Sequence, residues 1–142
     1  MEEILLVKFI AGGKGEGKTK TLIDMANACA KTTDGHLVFI DDDKRHIFDL
    51  HYDIRFVETG HQMLSNYREF IGFVLGILSQ DNDIKNIFVD GLTNIVEVVD
   101  NESLKKLTDR LQQISQQNTV DFIISINFPK ESLPDEIKLL LI

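Results

Sequence analysis

Short runs of consecutive apolar residues alternate along this chain with longer stretches in which apolar positions recur every three or four residues. Runs near residues 4–11, 36–41, 54–58, 86–90 and 121–127 read as strands. The first, Ile4-Leu5-Leu6-Val7 and Phe9-Ile10-Ala11, is interrupted only by Lys8. Strands apolar at successive positions are covered on both faces, as in a parallel sheet. Between them, Leu22, Met25, Ala26 and Cys29 mark a helix running to about residue 32. Met63, Tyr67, Phe70, Ile71, Val74 and Leu78 mark a second over about 61–79, and Leu104, Leu107, Leu111 and Ile114 a third over about 102–117. These stripes are core faces. The segment Pro134 to Leu141 opens with Pro-Asp-Glu and reads as a terminal helix, with Leu139 to Ile142 as an edge strand in the alternative. Alternating strand and helix predicts an α/β fold: a three-layer parallel sheet of about five strands with helices on both faces. No internal repeat, low-complexity tract or linker divides residues 1–142, which read as a single domain.

The turn between the first strand and the first helix carries the chemistry. Residues 12–19, Gly-Gly-Lys-Gly-Glu-Gly-Lys-Thr, fill every fixed position of G-x-x-x-x-G-K-[ST], a loop that holds nucleoside triphosphates. A buried strand before it and a helix after it are the context this loop needs. The glycines permit left-handed backbone, which turns amide hydrogens inward toward an anion, and the helix dipole adds to the attraction. Lys18 is expected on the terminal phosphates and Thr19 on a magnesium ion, which prefers oxygen ligands. The residues set against the nucleotide are Gly12, Gly13, Lys14, Gly15, Glu16, Gly17, Lys18, Thr19 and Lys20. Lys14 itself reads as a solvated lysine. The pattern in which an extra lysine reaches across a dimer, Lys-Gly-Gly-x-Gly-Lys, places that lysine one residue further from Lys18.

Composition narrows the partners. The formal net charge of -8 argues against a protein built to grip a nucleic-acid backbone, because that grip requires clustered Lys and Arg. No apolar run approaches the roughly 18 residues of a membrane span, and the start Met1-Glu2-Glu3 resembles no secretory signal, so a soluble, cytoplasmic protein is expected. The single cysteine, Cys29, falls on a helix core face and reads as inert. His36, His46, His51 and His61 lack zinc-ligand spacing; only His46 with His51, near Asp43 and Asp49, forms a pair worth following.

Two acidic strand ends complete the candidate site. Asn86-Ile87-Phe88-Val89-Asp90 ends in a carboxylate suited to hold magnesium beside Thr19. Gly91 follows, where many ATPases with an extra strand between loop and aspartate place a glutamate base. The strand Leu37 to Ile40 runs into Asp41-Asp42-Asp43, whose mutual repulsion requires exposure or pairing. Asp42 reads as exposed, while Asp41 or Asp43 would orient water or ligate the ion.

These segments resemble the RecA-like ATPases. Val38 to His46 looks like that family's segment of strand, Asp, any residue and catalytic Glu; Ile87 to Leu92 looks like its magnesium strand; Phe122 to Asn127 is similar to its sensor strand. Order and spacing agree over about residues 4–128, which implies a minimal RecA-like P-loop NTPase core. By this resemblance Lys18, Thr19 and Asp90 take the phosphate and magnesium roles, Asp43 stands at the catalytic glutamate, and Asn127 begins the sensor loop. The chain departs from the family in having Asp for Glu, Phe128 for the sensor glutamine, and neither DNA-binding loops nor later strands. It also looks like small P-loop proteins of Gram-positive bacteria that carry a twitching-motility or ATPase label.

Three functions are therefore expected, in this order. The first is magnesium-ATP binding with weak hydrolysis, using Lys18 and either Asp43 or Asp41. The second is a nucleotide-dependent switch for a protein partner, acting through loops around 42–53 and 91–101. The third is a small-molecule phosphotransferase, disfavoured because no arginine-rich lid is evident. No Asn-Lys-x-Asp string exists to read guanine, so ATP is preferred over GTP. Arg45, Arg55, Arg68 and Arg110 are the candidates for an arginine finger, and self-assembly would supply one otherwise.

Overall fold

The apolar runs become five parallel strands in a computed structural model that describes residues 6–97 and 99–142. They are β1 (Val7–Ala11), β2 (His36–Asp41), β3 (Arg55–Glu58), β4 (Ile84–Val89) and β5 (Asp121–Ile126), in the order β1-β5-β4-β2-β3. The expected strand residues Ile4 and Leu5 lie outside the described residues. Helices α1 (Lys18–Thr32), α2 (Tyr67–Ser79), α3 (Leu92–Ile95), α4 (Asn101–Asn118) and α5 (Asp135–Lys138) connect and follow the strands.

Both faces of the sheet are buried because successive strand residues point to opposite sides. Val38 and Ile40 of β2 join the cluster formed with Phe70 and Val74 of α2 and Leu104, Leu107 and Leu111 of α4. Leu37 and Phe39, the alternate residues, join Leu22, Ile23 and Ala26 of α1. The three-layer α/β architecture expected from periodicity is thus the one observed.

Helix boundaries differ from expectation at two places. The second helix begins at Tyr67 rather than near residue 61, because the Asn66 side chain accepts from the Glu69 amide (3.1 Å) and sets the start. Residues before it form a loop in which Leu64 pairs with Val96, its amide donating to the Ile95 carbonyl (2.8 Å). Met63 is consequently exposed and outside the helical stripe. At the chain end both alternatives occur in sequence: α5 first, then Leu141 alongside Phe9 as a parallel bridge. Phe9 donates to Leu140 (3.0 Å) and Ile142 donates back to Phe9 (3.0 Å).

The strand order has one consequence for function. β5 lies between β1 and β4, so the loops leaving β1, β5, β4 and β2 meet at one edge, outside the carboxyl ends of the strands. Phe122 is fully buried in the middle of this arrangement, opposite Val7 on one side and Ile87 on the other. Phe122→Ala is expected to cost about 3–5 kcal/mol of stability in chemical denaturation, from lost burial and the cavity left behind. An unchanged midpoint would contradict this placement of β5.

Candidate functional site

The turn from β1 into α1 has the backbone its glycines require. Gly15 and Gly17 lie in the left-handed region, with φ of 80° and 79°. A side chain there would be strained, although the space beyond both is open. Gly17 caps α1 without any side-chain hydrogen bond. By contrast, Asn66 caps α2, and Asp100 with Ser103 forms a reciprocal box on α4. The first-turn amides of α1 therefore lack a capping side chain, which suits an anion.

Lys18 is nearly buried, and its Nζ donates to the Gly13 carbonyl of its own loop at 2.5 Å. Thr19 Oγ1 donates to both carboxylate oxygens of Asp90, at 3.2 and 3.1 Å. Glu16 lays its carboxylate over Gly12 and Gly13. Lys20 faces outward in an exposed pair with Asp24 (2.9 Å).

Asp90 ties the strand ends together. Its amide donates to the Ile40 carbonyl of β2 (2.9 Å), and Oδ1 accepts from Ser125 Oγ of β5 (2.8 Å). Ser125 Oγ in turn accepts from the Gly91 amide (2.7 Å), and Gly91 takes a φ of 71° to make the turn. Asn127 donates to Thr93 Oγ1 (3.3 Å), fastening the end of β5 to α3. These groups surround a cavity of about 520 Å³. Its walls are Lys14, Gly15, Gly17, Lys18 and Thr19 from the loop, Asp90, Gly91 and Asn94 after β4, Ser125 and Asn127 from β5, and Asp42 and Arg45 after β2.

The acidic triplet divides into three environments. Asp41 is 3% exposed and is pushed up to about 8, first by burial, then by its hydrogen bond with Asp42 and the charge of Asp90. Its Oδ1 accepts from the Asp42 amide at 2.7 Å. Asp43 is engaged by Arg45, through the guanidinium (2.8 Å) and the backbone amide (2.9 Å). Those hydrogen bonds hold its carboxyl below the usual range. Of the triplet, Asp42 is the member on the cavity wall. The three nevertheless stay together at the end of β2, with one carboxylate oxygen of each within 4.8 Å of the others. Repulsion is relieved by the Asp41 proton, shared in a hydrogen bond with Asp42, and by the Arg45 guanidinium on Asp43.

Other candidates are placed elsewhere. His46 pairs with Asp49 (3.1 Å) and His51 stacks on Tyr52 at 4.4 Å between ring centres. Neither belongs to a ligand cluster among the described residues, whereas His36, Asp81 and Asp83 do. That cluster spans 45 residues between His36 and Asp81 and gives no local sequence signal. Cys29 is half-buried, accepts from Asn86 Nδ2 (3.2 Å), and has its thiol pushed up by burial and Asp121. Sequence reasoning missed Ser125, whose only signal is a small hydroxyl within an apolar strand, and also Asp42, Arg45 and Asn94 as walls.

No family model matches this sequence, and no curated protein matches it. Among solved structures, the fold is similar to the crystal structure of a KaiC-like protein from the hyperthermophilic archaeon Pyrococcus horikoshii, with a TM-score of 0.59 and 17% identity. The match covers 94% of this chain and 66% of that one, so the chain spans just under two thirds of the archaeal structure. At that identity the likeness is one of fold. The chain has a RecA-like P-loop α/β fold. Among the described residues no helix is long and apolar enough to cross a membrane.

The raised Asp41 carboxyl makes a pH prediction for the magnesium-free protein. Its folded value of about 8 lies above the unfolded value of 3.8, so the folded state holds the extra proton between them. Its contribution is fully present below pH 3.8 and is lost as pH rises through about 8. Asp41→Asn should remove a downward slope of at most about 1.4 kcal/mol per pH unit from denaturation measured across that window. An identical slope in variant and wild type would show Asp41 ionised.

Proposed function

We propose that this protein binds magnesium-ATP and hydrolyses it slowly. The observation that carries the reading is the chain of hydroxyls and carboxylate, Thr19 to Asp90 to Ser125, beside a helix start with no capping side chain. The residues fit both groups. Open left-handed glycines and a helix start without a capping side chain suit a polyphosphate, and the oxygens of Thr19 and Asp90 suit a hard cation. Bound magnesium would neutralise charge on phosphate oxygens.

The protein's own part is positioning. Lys18 exchanges the Gly13 carbonyl for phosphate oxygen, with the amides of residues 15–19 as further donors. Thr19 and Asp90 hold the ion's place, and Ser125 keeps the Asp90 carboxylate from rotating. Asp42, on the cavity wall, takes the water; Asp41 retains a proton near neutrality and Asp43 is occupied by Arg45. An aspartate reaches less far than the glutamate of related enzymes, and Gly91 offers no base after Asp90. Slow turnover follows, since positioning and electrostatics supply most of the catalysis in this class. ATP rather than GTP is the nucleotide, and the cytoplasm its setting.

A second reading is a nucleotide-dependent switch for a protein partner or for self-assembly. The β2–β3 connection favours it: Phe48 and Tyr52 are 97% and 89% exposed there. Asn27 of α1 fastens the same segment, donating to the Asp49 carbonyl (2.9 Å) and accepting from the His51 amide (2.7 Å).

Lys18→Ala should weaken magnesium-ATP binding about 100-fold or more, about 2.7 kcal/mol, in calorimetry. Unchanged affinity in that variant defeats the nucleotide reading. Asp42→Asn should drop phosphate release over hours to background with affinity held within about threefold. Equal background release from wild type and variant would leave the switch.

A further inference from the structure

We propose that Arg45 holds the outermost phosphate of the nucleotide and that Asp43 is the residue that positions it, an inference that rests on the magnesium-ATP reading. Arg45 lines the same cavity as Lys18 and Thr19 but enters from the opposite wall, after β2. β2 is the neighbour of β4 on the side away from β5 and β1, so this wall lies beyond Asp90 as seen from the loop. A polyphosphate laid along the loop, with its ion near Thr19 and Asp90, presents its terminal group toward that wall. The cavity's cations are Lys14, Lys18 and Arg45 and its carboxylates Asp42 and Asp90. Arg45 thus tips the lining from neutral to positive.

The guanidinium is preset rather than free. One of its nitrogens donates to Asp43 Oδ2 at 2.8 Å while the Arg45 amide donates to Asp43 Oδ1 at 2.9 Å. The remaining donors of the fork stay available for a second acceptor, a geometry that lysine cannot copy. The pair is exposed, 70% for Arg45 and 42% for Asp43, so it adds little to folding. Its loop is nevertheless tied at both ends. Thr59 and Gly60 donate to the carbonyls of Asp41 (2.9 Å) and Asp42 (3.0 Å), and Asn27 holds Asp49 and His51 to α1. An exposed ion pair on an anchored loop at a cavity wall aims a charge.

The test is calorimetry with magnesium and either a non-hydrolysable ATP analogue or ADP, on wild type, Arg45→Ala, Arg45→Lys and Asp43→Asn. Arg45→Ala should weaken the triphosphate by about 10- to 100-fold while ADP stays within about twofold, and Arg45→Lys should recover part of the loss. Asp43→Asn should shift the triphosphate-to-diphosphate ratio the same way by about threefold or more, with thermal melting unchanged, which a merely structural role would not do. Equal weakening of both nucleotides, or of neither, in Arg45→Ala overturns the proposal while leaving the magnesium-ATP reading intact. A wild type that binds neither nucleotide overturns both.

Discussion

The Asp90 carboxylate is the point on which the edge of this sheet converges. Its backbone bonds to β2, its Oδ1 to Ser125 of β5, and both of its oxygens to Thr19 after β1. Four strand ends are joined through one residue at the end of β4. This requires β5 to stand between β1 and β4, because only then do a serine on β5 and a threonine on α1 reach the same acid. A largely buried carboxylate needs such donors; without them its desolvation would be uncompensated. The hydrogen bonds that stabilise the acid also fix its orientation, and orientation is what an ion site needs.

Charge is managed locally rather than by the chain as a whole. A protein of net charge -8 still lines one cavity with Lys14, Lys18 and Arg45. The acidic triplet after β2 would oppose that field if all its members were ionised and facing inward. Instead Asp41 keeps its proton by burial, Asp43 faces a guanidinium, and Asp42 lines the wall. Asp43 in turn holds Arg45, which lines the same cavity.

The connection between β2 and β3 joins this site to the surface. Asn27 lies on the helix that follows the glycine-rich turn, and it bonds the backbone on either side of Leu50. A movement of α1 would therefore be carried to the segment that displays Phe48 and Tyr52. Large aromatic rings exposed at a surface are the usual material of protein contacts. The two proposed readings draw on one anchored loop, which carries both the cavity residues Asp42 and Arg45 and the exposed rings.

Residues whose behaviour depends on near neighbours could be read from the chain alone. The glycine-rich turn, the three main helices and the five strands follow from spacing, because periodicity reports which side of an element is buried. Asp90 was visible in the same way, as a carboxylate closing an apolar run. The start of α2 was misplaced because Met63 fits the helical repeat, while the Asn66 cap and the Leu64 pairing with Val96 decide where the helix begins. Only the tertiary structure decided that Ser125 meets Asp90, that Asp41 is buried and Asp43 pairs with Arg45, and that Arg45 lines the cavity. Those outcomes depend on strand order and on side-chain direction at strand ends, where residues distant in sequence become adjacent and no local repeat records the encounter.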